Sequence, residues 1–251
     1  MRILPGMGPY ESIARAYDAL FPPAAAARFF LGAPAPVGCA KSASPFAVDL
    51  GCATGAHVAL LAGLGWQVLG LDPSQAMIEA ARARHGGILN ASFATGGMLD
   101  VDRFAPAEGY GLVLCVGNTL PHLGGRDELC AFLGKVSEVM APGGRLVLQL
   151  LNYESLLKRR PASLPEIHAD GWTLRRSYRY REDGLLDFMT ELASGDETLG
   201  DSTTLTPFTV GAVQAEAGAA GLFAAALYSA WDGEAYDARS SVVALIDLRL
   251  G

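Results

Sequence analysis

The 251-residue sequence predicts an α/β fold, a doubly wound parallel sheet covered by helices on both faces. Three observations predict it. From Phe46 onward, short apolar runs alternate with helical patterns. The runs are apolar throughout rather than at every second position, as strands buried on both faces require. The first run ends at the glycine turn Gly51-Cys52-Ala53-Thr54-Gly55 and the second at Asp72-Pro73.

Taken in order, Tyr10, Ile13, Ala14, Tyr17 and Leu20 recur at helical spacing until Pro22-Pro23 ends the segment, and the Gly-, Pro-, Ala- and Ser-rich residues 32–45 read as a linker. Strands are expected at 46–50, 66–71 and 88–93, with helices at 56–64 and 74–85. A strand at 111–116, a helix at 126–140, a turn at Pro142-Gly143-Gly144 and a strand at 145–151 follow. The alternation then stops. Strand-like runs at 172–181 and 185–194, joined by Asp183-Gly184, read as an antiparallel hairpin inserted within 152–206. A helix at 207–220 precedes strands at 223–230 and 241–248, whose connection is too short for a crossover helix, so that pair is expected to be antiparallel. The whole chain reads as one domain: a helical lid over 10–31, a core over 46–151, the insertion over 152–206, and a terminal helix and strand pair over 207–251.

An apolar content of 51% with 18% charged residues fits a globular protein with a sizeable core. The net charge of -7 argues against nucleic acid as a partner, because its phosphates attract an excess of Lys and Arg. A small molecule is the expected partner, and the sequence leaves room for a homo-oligomer. The N-terminus has no apolar core of signal-peptide length, and the apolar stretch 211–231 is interrupted by Gln214 and Glu216, so neither export nor a membrane span is expected. Cys39, Cys52, Cys115 and Cys130 form no CxxC pair or zinc spacing. No metal is expected, and a reducing cytoplasm fits.

A strand that feeds a helix through glycines lets backbone N–H groups approach a ligand, and ligands bind at the carboxyl edge of such sheets. Gly51 and Gly55 suit that turn. The second strand ends in Asp72, 21 residues after Gly51, where a carboxylate can accept both hydroxyls of a ribose. The alternative for Asp72 is a cap for the following helix. Reading a dinucleotide fingerprint onto Gly51, Ala53 and Ala56 leaves its middle glycine missing, so an NAD(P)-dependent oxidoreductase is the weaker fit.

These residues resemble the class I S-adenosylmethionine-dependent methyltransferases, with their Rossmann-like seven-stranded sheet and reversed last strand. "VDLGCATG" resembles the family's first motif and "GLDPSQAMIEAAR" its second. "GGMLD" stands at the adenine-contacting loop, "YGLVLCVGNTLPHL" at the fourth strand and "APGGRLVLQLLNYESL" at the fifth. The resemblance implies a cofactor site of Asp49, Gly51, Cys52, Ala53, Gly55, Asp72, Pro73, Met77, Gly97, Met98, Leu99, Val116, His122 and Tyr10, with S-adenosylhomocysteine as product. Within the family, the Asn-[Ser/Thr]-x-x-His pattern, the Asn-Tyr after the fifth strand and the hairpin are similar to glycine and sarcosine N-methyltransferases. Three positions depart from the pattern: Ala53 replaces a glycine, Gly97 replaces an Asp or Asn, and Leu151 stands where glycine N-methyltransferases carry an arginine. Glycine is therefore not the expected acceptor.

Methyl transfer from a sulfonium is an in-line displacement that depends on alignment and exclusion of water. Asn118, His122 and Tyr17 are the expected catalytic residues, with His122 positioning rather than moving a proton. Thr119, Tyr153, Arg176, Tyr178, Tyr180 and Trp231 are expected around a nitrogen or oxygen acceptor. Alternation along 175–181 puts Arg175, Ser177, Arg179 and Arg181 on one side of the hairpin and Arg176, Tyr178 and Tyr180 on the other. A cofactor-binding protein without turnover is the third reading.

Overall fold

The computed structural model describes residues 13, 14, 16–32 and 44–251. The first turn of the expected lid helix, including Tyr10, lies outside the described residues. Within them, helices α1 (Tyr17–Leu20) and α2 (Ala27–Leu31) flank Pro22-Pro23. The prolines end α1 as expected, but the chain re-forms a helix beyond them because Ala27 and Leu31 bury against the core.

Strand β1 (Phe46–Leu50) leads into α3 (Ala56–Gly63), β2 (Gln67–Asp72), α4 (Gln75–His85), β3 (Ala91–Thr95), β4 (Tyr110–Cys115), α5 (Arg126–Val139) and β5 (Met140–Leu151). After the insertion come α7 (Val210–Ala219), β10 (Leu222–Tyr228) and β11 (Val243–Leu250). The sheet order is β10-β11-β5-β4-β1-β2-β3. Strands β1 to β5 pair in parallel, and β11 is antiparallel to both β5 and β10. This is the expected doubly wound seven-stranded sheet with a reversed last strand. The central strand β4 carries no charged residue and is buried along its length because successive residues enter different cores: Leu112 and Leu114 face α3 and α4, while Val113 and Cys115 face α5 and α7.

Helix ends follow the sequence chemistry. Ser74 Oγ accepts from Met77 N at 3.3 Å to start α4, and Arg82, Arg84 and His85 occupy its last turn, where cations complement the carbonyl end.

Two of the boundaries that differ from expectation have a visible local cause. β3 begins at Ala91 rather than 88, because Ile88 to Asn90 form a turn held by Ala91 N donating to Ile88 O at 3.1 Å. Pro142-Gly143-Gly144 does not precede β5 but lies within it as a bulge: Tyr110 pairs with Met140 and Leu112 already pairs with Arg145.

The insertion is larger than a hairpin. After α6 (Tyr153–Arg159), strands β6 (Ser163–Ala169), β7 (Trp172–Tyr180), β8 (Leu186–Ser194) and β9 (Glu197–Leu205) form a separate four-stranded antiparallel sheet in chain order. The missed turns are Asp170-Gly171 and Gly195-Asp196, where Asp170, Gly171 and Gly195 have positive φ. The outer strands escaped the sequence reading because both are half-exposed and polar.

Candidate active site

The carboxyl ends of β1, β2 and β4 converge on a bend whose shape is fixed by backbone conformation. Gly51 and Gly55 have φ of +74° and +86°, and Ala53 adopts +47° despite its side chain. A Cβ on Gly51 would lie 2.5 Å from Thr119 Cγ2, so only glycine lets the turn and the segment after β4 approach. A Cβ on Gly55 would strike the Phe93 ring at 2.7 Å. Gly55 therefore serves the turn and its packing on Phe93, and it lines neither cavity although Thr54 and Ala56 beside it line one.

Asp72, at the tip of β2, accepts from Ala53 N at 2.9 Å through one oxygen and from Ser74 N at 2.9 Å through the other. It is thus both a cap and a fixed acidic tip. Burial raises its pKa, and the two N–H bonds oppose the rise. Beneath it Asp49 is almost fully buried, and burial together with the nearby Asp72 charge pushes its pKa up to about 7.

Two adjoining cavities open on this edge. The first, of about 410 Å³, is bounded by Asp72, Pro73, Met77, Gly97, Met98, Leu99, Thr119 and His122. The second, of about 510 Å³, is bounded by Cys52, Val116, Asn118, Leu151, Arg176, Tyr178 and Trp231 among others. Both volumes are those of small-molecule sites. Tyr17, Gly51, Ala53 and Gly117 border both, so these four form the wall between them. The phenol of Tyr17 is held protonated by burial first and then by Asp72 and Asp49.

The loop of the first cavity is pinned from behind. Gly97 N donates to Asp100 Oδ2 at 2.9 Å, and Lys135 Nζ donates to the Leu99 carbonyl at 2.7 Å. Burial lowers the pKa of His122, which favours the neutral ring.

In the second cavity Asn118 sits at φ +66°, a conformation that Asn tolerates. Its Oδ1 accepts from Leu151 N at 3.0 Å, and its amide and the Tyr153 hydroxyl lie 3.0 Å apart. Tyr153 is fully buried and borders neither cavity, so it orients Asn118 from behind. Tyr180 also misses both cavities: its hydroxyl donates to Pro161 O at 3.0 Å and its ring lies under the Arg160 guanidinium. Asp49 borders neither.

Several lining residues escaped the sequence reading, including His57, Gln149, Phe188 and Thr190. His57 was within reach of it, since it opens the helix that follows the glycine turn. Burial lowers its pKa to about 4, so it is neutral, and its ring stands 6.2 Å from that of Trp231. Phe188 and Thr190 come from β8, and only the pairing of β8 with β7 brings them here.

The N-terminal helical segment is tied to the core: Thr54 Oγ1 donates to Asp18 Oδ1, and Asp18 Oδ2 pairs with Arg84 Nε at 3.0 Å. Among the described residues, no group of three or more His, Cys, Asp or Glu side chains is placed to hold a metal ion, and no helix is long and apolar enough to cross a membrane.

Residues 47–144 match a family model described as a methyltransferase domain. Among curated proteins, the chain is 28% identical over 121 residues to glycine N-methyltransferase of Rattus norvegicus, covering 44% of this chain and 41% of that one. It is 31% identical over 106 residues to a ubiquinone biosynthesis O-methyltransferase of Bradyrhizobium sp. (strain ORS 278), covering 42% and 39%. These matches span about two-fifths of each relative's length. Among solved structures, the fold superposes on the CcbJ methyltransferase from Streptomyces caelestis with a TM-score of 0.77 at 22% identity, covering 95% of this chain and 96% of that one.

Proposed function

We propose, from the premise that residues 47–144 are a methyltransferase domain carried on the class I fold, that this chain transfers the methyl group of S-adenosylmethionine to nitrogen or oxygen of a small molecule. The supporting observation is the pair of cavities that share the wall of Tyr17, Gly51, Ala53 and Gly117. The first fits the donor. Its acidic tip is fixed by two N–H bonds, its turn admits no Cβ at Gly51, and Met77, Met98 and Leu99 supply an apolar slot.

Asp72 would hold the ribose hydroxyls, Met98 and Leu99 the adenine, and the backbone around Gly51 and Ala53, on the wall shared by the two cavities, the methionine portion, with buried Asp49 behind that turn. The donor supplies an activated methyl carbon, and S-adenosylhomocysteine is the product. What the chain contributes is alignment and dryness, together worth up to roughly 7 to 11 kcal/mol of barrier. Asn118, held by Leu151 N and Tyr153, presents its amide to the acceptor from the second cavity, next to Gly117 of the shared wall. Tyr17 closes the wall from the lid as a neutral phenol. Neutral His122 packs on the donor side as a positioning residue.

The relatives methylate different atoms by name, one nitrogen and one oxygen, so the atom is assigned by experiment. Ligand-stripped, refolded protein is titrated with S-adenosylhomocysteine and with NADH, and then screened against amine and hydroxyl acceptors with methyl-labelled donor. Heat with the thioether alone and a labelled product support the proposal. Heat only with NADH, or no transfer across the panel despite tight binding, refutes it.

A further inference from the structure

Four arginines lie on β7 and the turn beyond it, and three of them have carboxylate partners. Arg175 pairs with Glu166 at 2.9 Å and Glu191 at 2.7 Å, Arg179 Nε donates to Asp187 at 2.7 Å, and Arg181 pairs with Asp183 at 2.6 Å. These pairs belong to the face turned away from the site. Arg176 belongs to the other face and lines the second cavity, flanked in register by Leu164 of β6 and Thr190 of β8, which line it too.

No carboxylate among the described residues forms an ion pair with Arg176. Its Nη2 donates to the Pro165 carbonyl at 2.9 Å, while its Nε is buried without a partner. Burial pulls its pKa down, yet a guanidinium stays charged in a protein. Around it the cavity is apolar and aromatic, with Leu174, Tyr178 and Phe188 nearest along the sheet. Because His57 is neutral, Arg176 is the one formally charged side chain among the described residues that line this cavity. A cation half-withdrawn from water without a counter-ion is costly, and the cost is relieved if a ligand supplies the anion.

We propose that the acceptor is an acid: a small molecule with an apolar or aromatic body and one carboxylate that seats on the Arg176 guanidinium. This rests on the methyltransferase reading and deepens it. The cation sits on the inserted sheet and lines the cavity that Leu151 also lines. The cavity of about 510 Å³ is also far larger than the smallest amino acid needs. A carboxylate fits better than a phosphate monoester, because one guanidinium balances one charge and a monoester brings nearly two.

The test uses protein saturated with S-adenosylhomocysteine, whose binding is measured first. Phenylacetate, hydrocinnamate, their primary amides and phenethyl phosphate are then titrated calorimetrically. The acids are expected to bind about tenfold to a hundredfold more tightly than their amides, the range of a charge-assisted hydrogen bond. Arg176→Met should bring that ratio close to one with S-adenosylhomocysteine affinity unchanged, which also reports that the variant is folded. Arg176→Lys should keep part of the preference. The proposal is overturned if no acid binds, if acid and amide bind alike, if the phosphate binds best, or if the preference survives in Arg176→Met. Failure to bind S-adenosylhomocysteine at the outset counts instead against the methyltransferase reading on which this one stands.

Discussion

The Asp72 carboxylate and the backbone N–H of Ala53 lie 2.9 Å apart, which makes the acidic tip of β2 and the glycine turn after β1 a single unit. Asp72→Ala should therefore do two things. It should abolish measurable S-adenosylhomocysteine binding, and it should also cost about 1 to 3 kcal/mol of stability, because Ala53 N and Ser74 N lose their acceptor. Calorimetry with urea unfolding checks both. A stable variant with unchanged affinity removes Asp72 from the site.

Asp49 gives a pH dependence of definite sign. Burial and Asp72 raise its pKa from 3.8 to about 7, so between those values the folded protein keeps a proton that the unfolded chain has released. Its contribution to stability falls as pH rises through that window and is level above it, an effect of at most about 4 kcal/mol. Asp49→Asn should therefore gain stability over the parent as pH rises from 4 to 7, followed by unfolding at several pH values. A constant difference across the window contradicts the assignment.

Gly51→Ala meets two penalties, the positive φ and the collision with Thr119. Loss of cofactor affinity and a stability cost of roughly 1 to 3 kcal/mol are expected. Adding Thr119→Ala should restore part of the stability, since Cγ2 and Oγ1 are the atoms struck, but not all of it. Full recovery in the double variant would mean that the backbone carries no strain.

Tyr153→Phe leaves both cavities unlined by any new atom but frees the Asn118 amide. Turnover should fall about tenfold with KM and cofactor affinity little changed, and Asn118→Ala should fall further. If both variants lose cofactor affinity in proportion, Asn118 belongs to the donor side of the wall.

Asp18 ties the lid to Thr54 and Arg84. Asp18→Ala should speed amide exchange across residues 16–31 while leaving β1 to β5 protected, with a stability change of about 1 kcal/mol or less. Unchanged exchange in the lid would show that its apolar contacts alone, with Ile13 and Leu20 buried, hold it closed.

The central sheet was legible because its strands announce themselves by local composition: β4 is apolar on both faces, β1 is apolar apart from Asp49, and Asp72 ends a strand 21 residues after Gly51. Local chemistry also determined the sides of β7, since alternation alone separates Arg176 and Tyr178 from Arg175 and Arg179. It did not determine β6 and β9, whose half-exposed polar residues become strands only by pairing with β7 and β8. Nor could it find Phe188 and Thr190, or remove Tyr153 and Tyr180 from the cavity walls. Those assignments depend on which elements meet at the sheet edge, and that is settled by long-range packing and register, terms that no stretch of the chain carries by itself.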